Sequence, residues 1–420
     1  MTAQGHCDPR FDRVREVFDD NFAQGEELGA AFAVYLRGEP VVDLWGGVAD
    51  RHTGRPWEPE TPVLTYSCTK AVTATVLLWL AERGLVDLRA PVAKVWPEFA
   101  AHGKDAITVE RLLTHEAGLP VVEQDVPVGE FEDQPAIAAR LAGQAPLWTP
   151  GTAHGYHALT FGFLTGEVIR RVTGATAGEI VAREIAGPRG LDLWLGAPDD
   201  VAARAARMSA GERMRGTDDS PDSPDSPRFP GSPGSPGSSG IPGSPGAPAA
   251  PASWREVARD LAEAVADKGS LMNRALGNPS PSKLKGGGNH PVIMRAGWPA
   301  MGMVATARGL AGFYRDLVAG EIVARETLRD GVRTRVSGRD RVMLIDSAFG
   351  LGYMRPSMYF LTPRKGAETA FGHTGLGGSL GLGDPRRGLA MAYTMNRMVT
   401  TGPGALRAYR LASAVYDCLS

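Results

Sequence analysis

Cysteine is scarce. Only Cys7, Cys68 and Cys418 occur in 420 residues, an odd number with no C-x-x-C spacing. The sequence therefore encodes neither a disulfide framework nor a zinc site, and a reducing compartment fits. Charge of one sign is also missing: 45 Lys plus Arg face 47 Asp plus Glu, for a formal net charge of -2. That balance leaves no electrostatic footprint for nucleic acid or an anionic membrane, and neither is expected as a partner. The longest apolar stretch, Ala71 to Ala81, is too short to span a bilayer. The first nine residues, Met1-Thr-Ala-Gln-Gly-His-Cys-Asp-Pro9, lack the basic and apolar regions of a signal peptide, so a cytoplasmic location is expected. Lysine is rare as well, at 7 residues against 38 Arg, so a Lys at a chemically suggestive position runs against the habit of this chain.

What remains is an ordinary globular composition, 43% hydrophobic and 22% charged, which rules out a disordered or fibrous protein. From Arg10 to Phe22 apolar residues fall at helical spacing, with Gly25 as the stop. Ala30 to Leu36 and Val41 to Gly46 read as a hairpin joined by Arg37-Gly-Glu-Pro40. The other end mirrors it: Gly378 to Gly383 and Leu389 to Asn396 joined by Asp384-Pro-Arg-Arg-Gly388, then a helix from about Gly404 to Cys418. The two termini are expected to share one antiparallel sheet. Between them lie helical segments at Thr69 to Arg83, Val109 to Leu113, Pro135 to Ala142, Gly162 to Thr173 and Ser253 to Asp267. The expected division is a sheet domain from residues 1–75 and 295–420, with a helical domain at 76–294 inserted.

Within that insertion, Ser220 to Ala252 holds 10 Pro, 8 Ser and 6 Gly, too few apolar groups to offset the entropy of ordering. A disordered or polyproline-like loop is expected at about 216–252. Six Gly-x-y triplets from Gly231 to Pro248 raise a collagen-like trimer, but the stretch is short and sits inside a folded chain.

The sharpest chemical feature is Thr65-Tyr-Ser-Cys-Thr-Lys70, opening an apolar-all-round helix. Lys70 lies three residues after Ser67, one turn on, within reach of its hydroxyl. Serine is a weak nucleophile until a base takes its proton, and a lysine can do so if burial lowers its pKa. The helix start adds a positive dipole end for a developing oxyanion. Ser280 with Lys283 and Ser282 with Lys285 share the spacing, but prolines there forbid a helical turn.

Two further segments are candidates. In Trp148-Thr-Pro-Gly-Thr-Ala-His-Gly-Tyr156-His157-Ala158, Tyr156 can serve as a phenolic acid and base, or simply pack. His154 and His157 stand at H-x-x-H spacing without a third ligand type, so no metal site is expected. Phe371-Gly-His373-Thr374-Gly375-Leu376-Gly377-Gly378-Ser379 reads as a small-residue strand edge that a substrate can approach. The same segment offers a rival nucleophile, because Gly377-Gly-Ser379-Leu-Gly381 fits G-x-S-x-G. That elbow must turn into a helix and needs a later His, whereas strand follows Ser379 and no His occurs beyond His373. Phosphate-loop, dinucleotide and H-E-x-x-H motifs are absent, and no cofactor is expected. His115 reads as structural, its imidazole bonding to backbone.

Taken in order, Ser67-Cys-Thr-Lys70, Tyr156-His-Ala158 and His373-Thr-Gly375 resemble the serine β-lactamase and penicillin-binding-protein superfamily. Within it the chain looks most like the class C β-lactamase-related esterases, the family VIII carboxylesterases. Val41 to Gly47, Leu112 to Pro120 and Trp148 to Gly151 extend the resemblance, and only the Pro/Gly/Ser segment falls outside it. It implies an α/β (α+β) fold, an antiparallel sheet flanked by helices and built from both termini, with a mostly helical domain inserted. It further implies attack by Ser67 on an acyl carbonyl, Lys70 and Tyr156 sharing base and acid roles, His373 in the catalytic set, and an oxyanion held by the N–H groups of Ser67 and Leu376. Thr374, Gly375, Trp148 and His157 would line the substrate pocket.

Two departures bear on substrate. β-Lactamases of this resemblance carry Lys where this chain has His373, a weaker anchor for a carboxylate near neutral pH. They carry Asn where it has Ala158, which cannot hydrogen-bond an acylamino side chain. Both favour a neutral ester. The competing readings are an acyltransferase or peptide-processing relative using the same acyl-enzyme, weak β-lactam hydrolysis, and a catalytically silent scaffold.

Overall fold

The computed structural model describes residues 3–210, 254–399 and 403–419, so the Pro/Gly/Ser segment with its triplets lies outside the described residues. The chain ends meet in one sheet, as the two hairpin patterns predict. Arg37 (φ 54°) and Gly38 (φ 91°) form a turn with two positive φ angles, matched to the twist of a hairpin, between Gly29–Leu36 and Glu39–Asp50. The turn is shorter than the four residues expected. Pro40 falls instead in the strand, opposite Tyr35 at a break in register.

Gly29–Leu36 pairs antiparallel with Leu389–Met395, placing Phe32 opposite Tyr393. Across the sheet the order is Gln4–Cys7, Glu39–Asp50, Gly29–Leu36, Leu389–Met395, Leu380–Asp384 and Phe371–Thr374, with Arg55–Pro56 added to Glu39–Asp50. The edge strand Gln4–Cys7 has no signal in the sequence, because its mostly exposed residues carry no apolar alternation.

Helices cover both faces. Ala307–Ala319 lies on one, where Arg308 pairs with Asp43 and stacks over Trp45 and where Tyr314 sits beneath Gly381. On the other, Asp12–Ala23 packs on Arg407–Cys418, and Phe22 covers Gly46. The contact at Gly381 is tight: a Cβ there would come within 2.4 Å of the Tyr314 ring. Gly381→Ala is therefore expected to force strand and helix apart and lower stability by about 1–3 kcal/mol, read as a lower urea midpoint with an unchanged slope.

The middle segments form at Val109–Leu113, Gln134–Gly143, Thr160–Thr173 and Trp254–Ala266, within a residue or two of expectation. Thr69–Glu82 is buried on every side except at Trp79, Ala81 and Glu82. Its hydroxyls are satisfied internally: Thr73 donates to Pro299 O, and Thr75 donates to Ala71 O. The helix packs on Thr160–Thr173, Arg325–Gly331 and Phe371–Thr374, so the core runs continuously from Ala3 to Tyr416. No helix among the described residues is long and apolar enough to cross a membrane.

Candidate active site

Ser67 sits in a 3-10 turn, Tyr66–Cys68, that leads into the buried helix. The residue before it, Tyr66, takes φ 48°, a left-handed conformation unusual for a side chain of its size. Such strain persists only when the surroundings over-determine it. Here they do: Thr65 N–H donates to Met303 O, Met303 N–H to the Thr69 hydroxyl, and the Cys68 thiol to His373 O. The last contact brings Phe371–Thr374 against the turn, joining two motifs about 300 residues apart in sequence. Cys68, though adjacent to the serine, is fully buried, and burial pushes its thiol up to about 12. It stays protonated and is no rival nucleophile.

Lys70 is fully buried with its Nζ 3.1 Å from Ser67 Oγ, 2.7 Å from Ala158 O and 2.9 Å from Ala300 O. Burial drives its pKa well below the usual lysine range. A neutral amine has two N–H bonds and one lone pair. With the two carbonyls taking the two donors, the lone pair is left for the serine hydroxyl, which can then donate to Nζ. This is the geometry of a serine and its base.

Tyr156 lies across the amine, its ring centroid 4.7 Å from Nζ. Its hydroxyl is buried without a well-formed hydrogen bond, although Ser67 and Tyr359 are its polar neighbours. Burial first, then the neighbouring Tyr359, raises its pKa, so it remains a phenol that can give up a proton. Asp340 fixes the backbone, accepting from Tyr156 N–H at 3.0 and 3.1 Å, from the N–H groups of Val342 and Met343, and from Ser347. Nothing local announces Asp340 in the sequence, since Arg339-Asp-Arg341 reads as a solvated charged run.

His373 is fully buried, and its Nδ1 is 2.7 Å from Thr374 O. A carbonyl only accepts, so the proton sits on Nδ1 and Nε2 is left as an unpaired acceptor. Burial, then the nearby Lys70, pulls its pKa down to about 3. The imidazole is neutral at pH 7. After it, Gly375 N–H donates to Ser379 O and Gly378 N–H to Gly375 O, forming a turn whose positive φ values at Gly377 (91°) and Gly378 (128°) demand glycine. Leu376, exposed on this turn, and Ser67 donate their N–H groups to no acceptor among the described residues.

A second residue missed in the sequence supports that turn. Arg407, on the C-terminal helix and paired with Glu27 at 2.7 Å, donates to Gly377 O at 3.1 Å. One arginine among 38 carries no local signal of such a task.

Other expected site residues fall differently. His157 is corrected from pocket lining to bracing. It is fully buried, its Nε2 accepts from Leu119 N–H, its Nδ1 donates to Gly155 O, and its own N–H donates to His115 Nδ1. His115 is thus structural, as expected. Trp148 is mostly buried, its indole N–H on Ala153 O and its ring edge-to-face with His157. Thr374 is half-buried beside Met354, and Gly375 lies directly against Thr65 O, where a Cβ would come within 2.2 Å. Ser379 is fully buried and leads into a strand at Leu380 rather than a helix, so the elbow geometry is absent. Among the described residues no cluster of three His, Cys, Asp or Glu side chains could hold a metal.

Comparison with known proteins identifies the family and the fold. The Beta-lactamase family model matches residues 14–416. The chain is 33% identical over 409 residues to the esterase/beta-lactamase LipL of Mycobacterium tuberculosis, covering 94% of this chain and 83% of that protein. It is similar in structure to a penicillin-binding protein homolog from Caulobacter crescentus, with a TM-score of 0.79, 35% identity and complete coverage of both chains. A family VIII carboxylesterase structure matches with a TM-score of 0.79 and 32% identity, again over the whole of both chains.

Proposed function

The chain belongs to the Beta-lactamase family and is a serine hydrolase, and from that premise we propose that it cleaves neutral carboxylic esters through an acyl-enzyme on Ser67. The single observation that carries the chemistry is Lys70, buried, with its two carbonyl partners on one side and Ser67 Oγ at 3.1 Å on the other. As Oγ bonds to the acyl carbon, its proton passes to Nζ. The carbonyl oxygen becomes an oxyanion, taken up by the free N–H groups of Ser67 and Leu376. When the C–O bond breaks, the departing alkoxide takes a proton from the Lys70–Tyr156 pair. Water then attacks the acyl-enzyme, giving its proton back to the same pair, and the acid leaves as Ser67 regains its hydroxyl.

The preference for a neutral acyl group rests on His373 and Ala158. With His373 neutral and Ala158 apolar and buried, neither offers a charge or a side-chain donor to a substrate carboxylate or acylamino group. Losing one charge-assisted hydrogen bond is worth about 1.5–3 kcal/mol. A chromogenic cephalosporin is therefore expected to turn over at least about tenfold less efficiently than p-nitrophenyl butyrate, as kcat/KM. The test is a p-nitrophenyl ester series from acetate to decanoate run beside that cephalosporin. Equal or greater cephalosporin turnover would reject the ester preference. Labelling of Ser67 by a fluorophosphonate without ester hydrolysis would favour acyl transfer, and no labelling at all a silent scaffold.

A further inference from the structure

A cavity of about 830 Å3 opens at the end of the sheet remote from Ser67. The two ends are separable along Phe371–Thr374: His373 O meets Cys68 beside Ser67, whereas Thr369, just before the strand, lines the cavity. That separation is about 10 Å of strand or more. The hairpin turns at Gly38 and Gly388 form one wall, and Val318, Leu328 and Val332 give an apolar floor.

Arginine dominates the rest. Arg37, Arg315, Arg325, Arg329, Arg333 and Arg355 line the cavity, against Glu326 and Glu368, in a chain whose net charge is -2. Asp316 holds Arg315 and Asp330 holds Arg333, while Arg386 occupies Glu368. Arg37, Arg325 and Arg329 have no acidic partner among the described residues, and Glu326 has no basic one. Arg355 is the buried member at 8% exposure. Its terminal nitrogens donate to Glu368, Thr369 and Ala370 carbonyls, yet its Nε–H has no acceptor. The nearby carboxylate of Asp384 is already engaged by Thr369, Tyr416 and Arg387.

A cavity of this size with an apolar floor and a few polar anchors has the make-up of a small-molecule site. Guanidinium groups select carboxylate and phosphate by their paired N–H geometry. We propose that the cavity binds an amphipathic organic anion, its carboxylate or phosphate head against Arg37, Arg325 and Arg329 and its apolar body against Val318, Leu328 and Val332. The site is independent of the ester chemistry, and its test involves no turnover.

The probe is sodium decanoate, titrated calorimetrically into the full chain and into Ser67→Ala. Saturable binding of equal strength to both is expected, weakening with added salt. Arg329→Glu, and separately Arg37→Asn, which suits the positive φ of that turn, should weaken it about tenfold or more, with Arg329→Lys largely retaining it. Thermal midpoints within error of wild type establish that the variants fold. 1-Decanol should bind more weakly by a similar factor, and so should inorganic phosphate, which lacks the apolar body. Decanoate affinity unchanged in Arg329→Glu and Arg37→Asn, or no saturable binding, would overturn the site. Binding to phosphatidylglycerol vesicles without binding of monomeric decanoate would overturn it in favour of a membrane-facing charged surface.

Discussion

Ser67→Ala should lower kcat/KM for p-nitrophenyl ester hydrolysis by about 10^5-fold or more, while Ser379→Ala stays within about threefold of wild type. The contrast follows from what each hydroxyl touches. Ser67 Oγ is 3.1 Å from a buried amine, next to two N–H groups without acceptors, and part-exposed to an incoming ester. Ser379 Oγ is fully buried, meets no polar partner and immediately precedes a strand. Removing it strands no donor, so stability is also expected to change little. Steady-state kinetics with both variants, and mass spectrometry of the fluorophosphonate adduct, make the check. Loss of turnover in a folded Ser379→Ala with Ser67→Ala active would refute the assignment.

Lys70→Arg should be nearly as damaging, lowering kcat by about 10^3–10^4 with KM little changed. A guanidinium keeps its proton above pH 12, so it cannot take one from serine, and its flat fork does not fit between Ala158 O and Ala300 O. The pH profile follows from the same group. The active form is the neutral amine, and activity is lost as pH falls through its pKa. Because burial lowers that pKa, the acid limb of kcat/KM should lie well below the ordinary lysine value of about 10.4. The raised pKa of Tyr156 should hold the plateau past the ordinary tyrosine value of about 10. A limb centred near 10 would show Lys70 to be an ordinary charged lysine. His373, already neutral near pH 7 with a pKa of about 3, should add no step between pH 5 and 8.

Much of this is legible in the amino-acid sequence. The paired hairpins at the ends of the chain, the buried helix after Ser67 and the middle helices are local patterns, because periodicity and turn residues act over a few positions. The same holds for Ser67 and Lys70, whose neighbourhood is one helical turn. Gln4–Cys7 escaped because an edge strand needs only backbone partners, and it found them at Val42 to Trp45. His157 departs from its expected pocket position for a related reason. Its position beside Tyr156 is a sequence fact, but the direction of its ring depends on Leu119 and Gly155.

The family resemblance, the two-ended sheet and the order of three short motifs can all be read along the chain, since each is written in residues close together in it. The electrostatics arise on folding. The pKa values of Lys70 and His373 are both pulled down because surroundings drawn from across the chain exclude water from them. Asp340, which steadies Tyr156, and Arg407, which holds the Leu376–Gly377 turn, act 184 and 30 residues away from the groups they fix. Desolvation and long-range hydrogen bonds depend on what the folded chain packs around a group, and that is set by the whole fold.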